Sequence, residues 1–228
     1  EAFITKHVPA KPTPYVPPTT AIPDGAQIVQ TTLPDGTQKI EANLTSEGAA
    51  TLISKQQAAG TSVAVITLPD VSDGASMAIV KLDERAVSKI AASGLDLEIS
   101  WGRTKLSASN AMLKDVSGDV TFSLTPWSSK AEIKQLGARA NVYAGMRSAP
   151  SGGKWNLIGN PIEIGTNLQG REITILLPLP ASESMAAEDE RVGVYVEHSD
   201  GTKEFRKGII VSIAGGQGIQ FTVSRFST

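Results

Sequence analysis

The chain has 228 residues and a mass of 23.9 kDa, enough for one large domain or two small ones with a real core. Charged residues make up 19% and apolar residues 40%, a globular rather than disordered composition. A net charge of −2 gives no basic excess for nucleic acid, the lack of cysteine excludes disulfides and thiolate chemistry, and two histidines, His7 and His198, cannot build a multi-histidine metal centre.

No apolar run approaches the length of a spanning helix, so no membrane insertion is expected. The first residue is Glu1 and no signal peptide is visible, which reads as a fragment or a processed form. The Cys-free composition, rich in Ser, Thr, Gly and Pro, tilts the expectation towards export.

Residues 1–7 (EAFITKH) read as a short strand set apart from the main body, with Phe3, Ile4 and Thr5 at its centre. Residues 8–23 hold six of the 13 prolines. Proline fixes φ and lacks an amide donor, so this stretch reads as an extended linker.

Residues 24–125 repeat one pattern: strand, capped helix, glycine, strand. In the first copy, residues 38–44 lead to a helix after Thr45 or Ser46, with Ala49, Leu52 and Ile53 on its faces. Gly60 stops it, and residues 63–68 follow as a strand. In the second, residues 77–82 precede Asp83, a helix N-cap. Ala86, Val87, Ile90 and Ala91 recur at helical spacing, Gly94 ends the helix, and residues 95–101 alternate up to a buried Trp101. The third is shorter: a strand at 104–106, Ser107 or Ser109 as cap, a turn of helix at 111–113, Gly118, then Val120, Phe122 and Leu124 alternating. These helices are too short to stand alone and must pack on a sheet, so this part is expected to be α+β with mixed strands.

Residues 126–228 read as a second domain, an all-β antiparallel sandwich. Strands are expected at 156–158, 162–164, 172–177, 192–197, 202–206, 209–213 and 219–223; residues 132–143 read as either a strand pair or a short helix, with strand favoured over 138–144. Asp200-Gly201 marks a hairpin, because a tight primed turn needs positive φ.

The run Leu82-Asp-Glu-Arg-Ala-Val-Ser-Lys-Ile-Ala-Ala-Ser-Gly-Leu-Asp-Leu-Glu-Ile99, the strand Gly118-Asp-Val-Thr-Phe-Ser-Leu124 and the end Gly218-Ile-Gln-Phe-Thr-Val-Ser-Arg-Phe-Ser-Thr228 carry a likeness. Over residues 30–228 the chain resembles modules found beside S-layer homology domains in surface proteins of Paenibacillus-like Gram-positive bacteria. The resemblance implies a structural or adhesive module, secreted to the cell surface or cell wall, and supplies no catalytic residues. Those relatives continue past Phe-Ser-Thr into a last apolar strand, which Glu1-Ala-Phe-Ile4 could continue here. The expected partners are therefore copies of the chain or neighbouring domains of its parent, joined by a donated strand. Some self-cleaving β-modules break a His-Phe-Ser junction; here Arg225 precedes Phe226-Ser227, so the base is missing.

Other candidates are weaker. Trp127, Tyr143 and Trp155 could form a platform for cell-wall polysaccharide, the mark of a carbohydrate-binding module and the second functional expectation. Asp70 and Asp73 could hold calcium but lack the spacing of a calcium loop, and a plain turn accounts for them; no other cofactor is implied. His198, Ser199 and Asp200 are adjacent at a hairpin tip and cannot converge as a hydrolytic trio. Gly215 to Gly218 joins two strands and lacks the helix and lysine of a phosphate cradle. No pair of titratable groups in the sequence points to an enzyme.

Overall fold

The computed structural model describes residues 19–21, 25–69, 76–145, 157–181 and 192–226. β1 (Thr19–Ala21) pairs antiparallel with β2 (Gln27–Thr32), so a strand lies within the stretch expected to be linker. A turn through Pro34, Asp35 and Gly36 reverses the chain into β3 (Gln38–Leu44). There Asp35 Oδ1 accepts the Thr37 N–H at 2.9 Å and Gly36 takes φ +86°.

The repeat exists. α1 (Ser46–Ala58) joins β3 to β4 (Val63–Leu68), and α2 (Glu84–Ser93) joins β5 (Ser76–Leu82) to β6 (Asp96–Trp101). α3 (Asn110–Leu113) joins β7 (Thr104–Ala108) to β8 (Val120–Pro126), with Ser109 as its cap. Gly94 adopts the left-handed conformation (φ +79°) that ends α2.

After β8 come α4 (Lys130–Gly145), β9 (Ile162–Thr166) and β10 (Ile173–Pro178). The last strands are β11 (Val194–Glu197), β12 (Lys203–Arg206), β13 (Ile209–Ile213) and β14 (Gly216–Val223).

The protein is mostly β. One six-stranded sheet has the order β1-β2-β3-β5-β8-β9, another the order β13-β14-β10-β7-β6-β4, and β11-β12 is a separate hairpin. In the first two copies the helix carries the chain from the first sheet to the second. This makes β3 parallel to β5 and β4 parallel to β6. The third copy runs the other way, from the second sheet back to the first, so β7 and β8 pair antiparallel with β6 and β5.

The boundary expected at residue 125 does not divide the fold into separate bodies. β9 pairs with β8 in the first sheet, and β10 pairs with β7 in the second. One hydrophobic cluster runs from Ala26 to Phe226 and takes in Ile40, Val80 and Phe122 from the first sheet and Ile66, Ile99 and Ile175 from the second. The cause is the 2.0-residue period: in each strand the apolar positions fall on one face, and both sheets turn that face to the same core. Trp101 is buried there and donates its Nε1–H to the Pro69 carbonyl at 3.1 Å.

Residues 138–144 lie in a helix, not in the expected strand. Ala, Lys, Glu, Gln, Leu and Arg make up most of the whole helix α4 and favour helix. Ser129 caps it, its Oγ accepting the Glu132 N–H at 3.4 Å, and Ser129-x-x-Glu132 has the capping-box spacing. Residues 157–158 form no strand either.

Polar side chains tie the strand ends together where the helices begin. Asp83 caps α2 through Oδ1, which accepts the Ala86 N–H at 2.6 Å, while its Oδ2 accepts the Ser46 N–H of α1 at 3.0 Å. Asp119 Oδ1 then accepts the Glu84 N–H at 2.9 Å. Asn167 donates to the Asp119 carbonyl at 2.7 Å and accepts the Thr121 N–H at 2.9 Å. These residues cross from β3 to β5, β8 and β9 at one end of the first sheet. At the other helix termini, Asn110 Nδ2 donates to the Ile90, Ala91 and Leu95 carbonyls, covering the C-terminal end of α2. Gly25 and Gly48 touch backbone to backbone, and a Cβ on either would collide with the other's carbonyl oxygen.

Asp83→Ala removes partners from two helix starts at once and is expected to cost about 2 kcal/mol, the upper end for a single cap. Urea denaturation of the variant against the parent chain measures it.

A second expectation concerns acid. Glu41 lies on the solvent side of the first sheet between Lys81 (2.8 Å) and Lys39 (2.9 Å). Their hydrogen bonds, Lys81 first, hold its carboxyl down from 4.5 to about 2. A carboxyl held low in the folded chain contributes stability above its unfolded value and loses it as pH falls towards its folded one. The melting temperature of Glu41→Gln should therefore fall less than that of the parent between about pH 5 and about pH 3, measured by circular dichroism.

Candidate functional site

The links between the sheets run strand by strand: β3 to β4, β5 to β6, β7 to β8, β9 to β10. β14 and β13 lie past β10 and have no such counterpart in the first sheet, which stops at β9. α4 and the β11-β12 hairpin sit there instead, around a cavity of about 870 Å³. Ile162 and Ile164 of β9, Leu177 of β10, and Ile219 and Phe221 of β14 line it, with Leu136 of α4 and Phe205 of β12.

β9 is the border strand of its sheet. The Trp127 N–H donates to the Pro161 carbonyl at 2.9 Å, which fixes the phase of the β8–β9 ladder. Glu163 and Gly165 therefore direct their backbone groups to β8, and Ile162 and Ile164 direct theirs away from it. The Thr166 carbonyl, facing the same way, accepts from Gln169 Nε2 at 3.1 Å. Among the described residues, the amides and carbonyls of Ile162 and Ile164 meet no strand. The Ile162 and Ile164 side chains are half-buried against the core, and Glu163 is exposed on the opposite face.

α4 and the hairpin are joined by one carboxylate. Arg139 grips Glu197 with two parallel bonds, Nε to Oε1 at 2.7 Å and Nη2 to Oε2 at 2.8 Å. Tyr195, two residues before Glu197 and so on the same strand face, donates its hydroxyl to Glu197 Oε1 at 2.6 Å. The Arg139 hydrogen bond holds the Glu197 carboxyl below its ordinary range, and desolvation followed by the Glu197 bond pushes the Tyr195 phenol up. Arg139 is raised in turn by the same contact. This trio is a structural clamp: its acidic oxygens are already occupied by donors.

The sequence candidates fall in different places. Trp127 is half-buried on the cavity wall. Tyr143 lies on α4 with its ring tilted 52° against Tyr195 at 5.7 Å, outside the cavity lining. Trp155, Asp70 and Asp73, like Phe3, Ile4 and Thr5, lie outside the described residues.

His198, Ser199 and Asp200 occupy the hairpin tip, as expected. Gly201 takes φ +81°, Asp200 Oδ1 accepts from Thr202, and His198 turns inward to Glu204 at 3.1 Å while Ser199 and Asp200 stay exposed. Gly216, within the glycine-rich stretch at 215–218, lies at the start of β14, separated from the end of β13 by two residues. Among the described residues no three acidic or histidine side chains gather as a metal site, and no helix is long and apolar enough to cross a membrane.

Sequence reasoning missed Arg139 and Glu197 as partners, since they lie far apart in the chain and on an element read as strand. The Ser129-x-x-Glu132 signature was the available cue for that helix. No protein-family model, curated protein or solved structure matches the chain.

Proposed function

We propose that the chain is a structural, non-catalytic module of a bacterial surface layer, stalk or fibre, held to its neighbours by backbone cohesion outside the cell. The observation that carries this reading is the border of β9, whose outward amides and carbonyls meet no strand among the described residues and lie beside an apolar cavity. In this reading the two sheets form a sandwich whose first layer stops short of the second, and a strand from outside extends it. The surface location rests on the resemblance to S-layer-adjacent modules and on the Cys-free composition. Electron microscopy of the purified chain tests the reading. Filaments or ordered sheets are expected, and monodisperse single particles at every concentration imaged would overturn it.

A second reading, a carbohydrate-binding module appended to a cell-wall or polysaccharide-active enzyme, is favoured by one observation. Trp127 and Tyr195 line the same cavity, two aromatic side chains on one apolar wall as sugar stacking requires. Co-sedimentation with insoluble cell-wall polysaccharide tests it. Trp127→Ala should weaken binding about tenfold or more, and undiminished binding by that variant would remove the reading.

A further inference from the structure

We infer that β13 pairs antiparallel with β13 of a second copy, about a two-fold axis at Val211. This contact lies in the second sheet, away from the β9 border on which the assembly reading stands, and gives that reading a second joint between copies.

The ladder phase fixes which groups are open. The Leu179 N–H donates to the Gln217 carbonyl at 2.9 Å, so Gln217 and Ile219 direct their backbone to β10. Gly216, Gly218 and Gln220 therefore direct theirs to β13, where Ile213, Val211 and Ile209 answer them. Ile210 and Ser212 are left with N–H and C=O groups turned to the border, and among the described residues no strand meets them.

An antiparallel partner must place bonded pairs at both positions. With the axis at Val211, Ile210 exchanges two bonds with Ser212 of the second copy, and Ser212 exchanges two with its Ile210. Paired residues share a sheet face, so on the outer face Val211 meets its own counterpart and Ile209 meets Ile213. Ile209 is 61% exposed, a large apolar side chain left without cover. A Cβ on Gly218 would lie 2.8 Å from Leu176 Cδ1 and 3.4 Å from Ile213 Cδ1, so these two side chains close over β14 and widen the apolar strip.

The other borders are guarded against the same pairing. The open groups of β9 belong to Ile162 and Ile164, so self-pairing would set Glu163 against its own counterpart, two like charges. β4 leaves no large apolar side chain exposed, β1 has three residues, and the β11-β12 hairpin carries Glu197, Lys203, Glu204 and Arg206. Residues 209–213 have no charge, no proline and an unbroken register with β14.

A copy of the chain matches this strand by construction, in backbone phase and in the spacing of three apolar side chains, which commits the occupant to a second copy. A net charge of −2 per copy opposes the pairing little. One pair of five-residue strands is a small interface, so the dimer is weak, with dissociation between about 10 μM and about 1 mM. The two-fold axis makes the contact isologous: it closes at two copies and joins their six-stranded second sheets into one.

Sedimentation velocity of the full chain from ~1 μM to ~1 mM tests it. The parent chain should pass from monomer to dimer as concentration rises. Val211→Lys and Val211→Glu each set like charges across the axis, and each should need at least about tenfold more protein to pair. An equimolar mixture of the two should regain the parent's dimer as a mixed pair. Should either variant lose its native circular dichroism, Ile209→Lys, at an exposed position, takes its place and should be weakened likewise. Dimers that grow no further in the parent would support the contact even where electron microscopy shows no filaments. Oligomers that persist unchanged in the variants, or a mixture that pairs no better than its components, would overturn this contact while leaving the assembly reading standing. A parent chain that stays monomeric throughout would overturn both.

Discussion

The fold depends on how one carboxylate is shared. Asp83 stands between two helix starts and supplies an acceptor to each. Free amides at a helix start carry partial positive charge, so a carboxylate there satisfies hydrogen bonds and the helix dipoles together. Its own N–H donates to the Leu44 carbonyl, which fastens the end of β3 to the end of β5. Asp119 and Asn167 continue the same arrangement across β8 and β9. Each residue satisfies a group on the neighbouring strand, so the level at which the chain leaves the first sheet is fixed for four strands. The parallel pairing of β3 with β5 and of β4 with β6 follows, because both helices depart from the same level.

That order ends where the repeat ends. Past β9 the first sheet contributes no strand, and α4 and the hairpin stand in its place. A helix without a fully buried residue covers less apolar surface than a strand seated in a sheet, and α4 shows none among its described side chains. It is held chiefly by the Arg139–Glu197 clamp and a half-buried stripe that includes Ile133, Leu136 and Ala140. The cavity is the space this substitution leaves, and its location beside the β9 border comes from the topology.

Legibility in the sequence tracked how local the determining interactions were. Asp83, Ser109 and Gly94 were readable because a cap and a stop act within a few residues. The alternation in β6 and β8 was readable because burial on one face imposes it. What was hidden was non-local. Nothing in residues 104–126 shows that the third copy crosses the sheets in the opposite direction, since its strands and helix look like the others. The reach of Asp83 to Ser46 joins residues that only the parallel pairing brings together. The division at residue 125 failed for the same reason: the density of short strands after it was real, but strand content does not say which sheet a strand enters. The turn at Asp35-Gly36 and the cap at Ser129 were local signals left unused.

The alternation of the chain between layers has a bearing on engineering. A piece cut out at residue 125 would strip β8 of β9 and β7 of β10, exposing a raw flank on both layers at once. Neither portion is a cassette to be shuffled into another protein by itself. A swap between proteins therefore has to carry both portions together, because each layer is woven from strands on either side of residue 125.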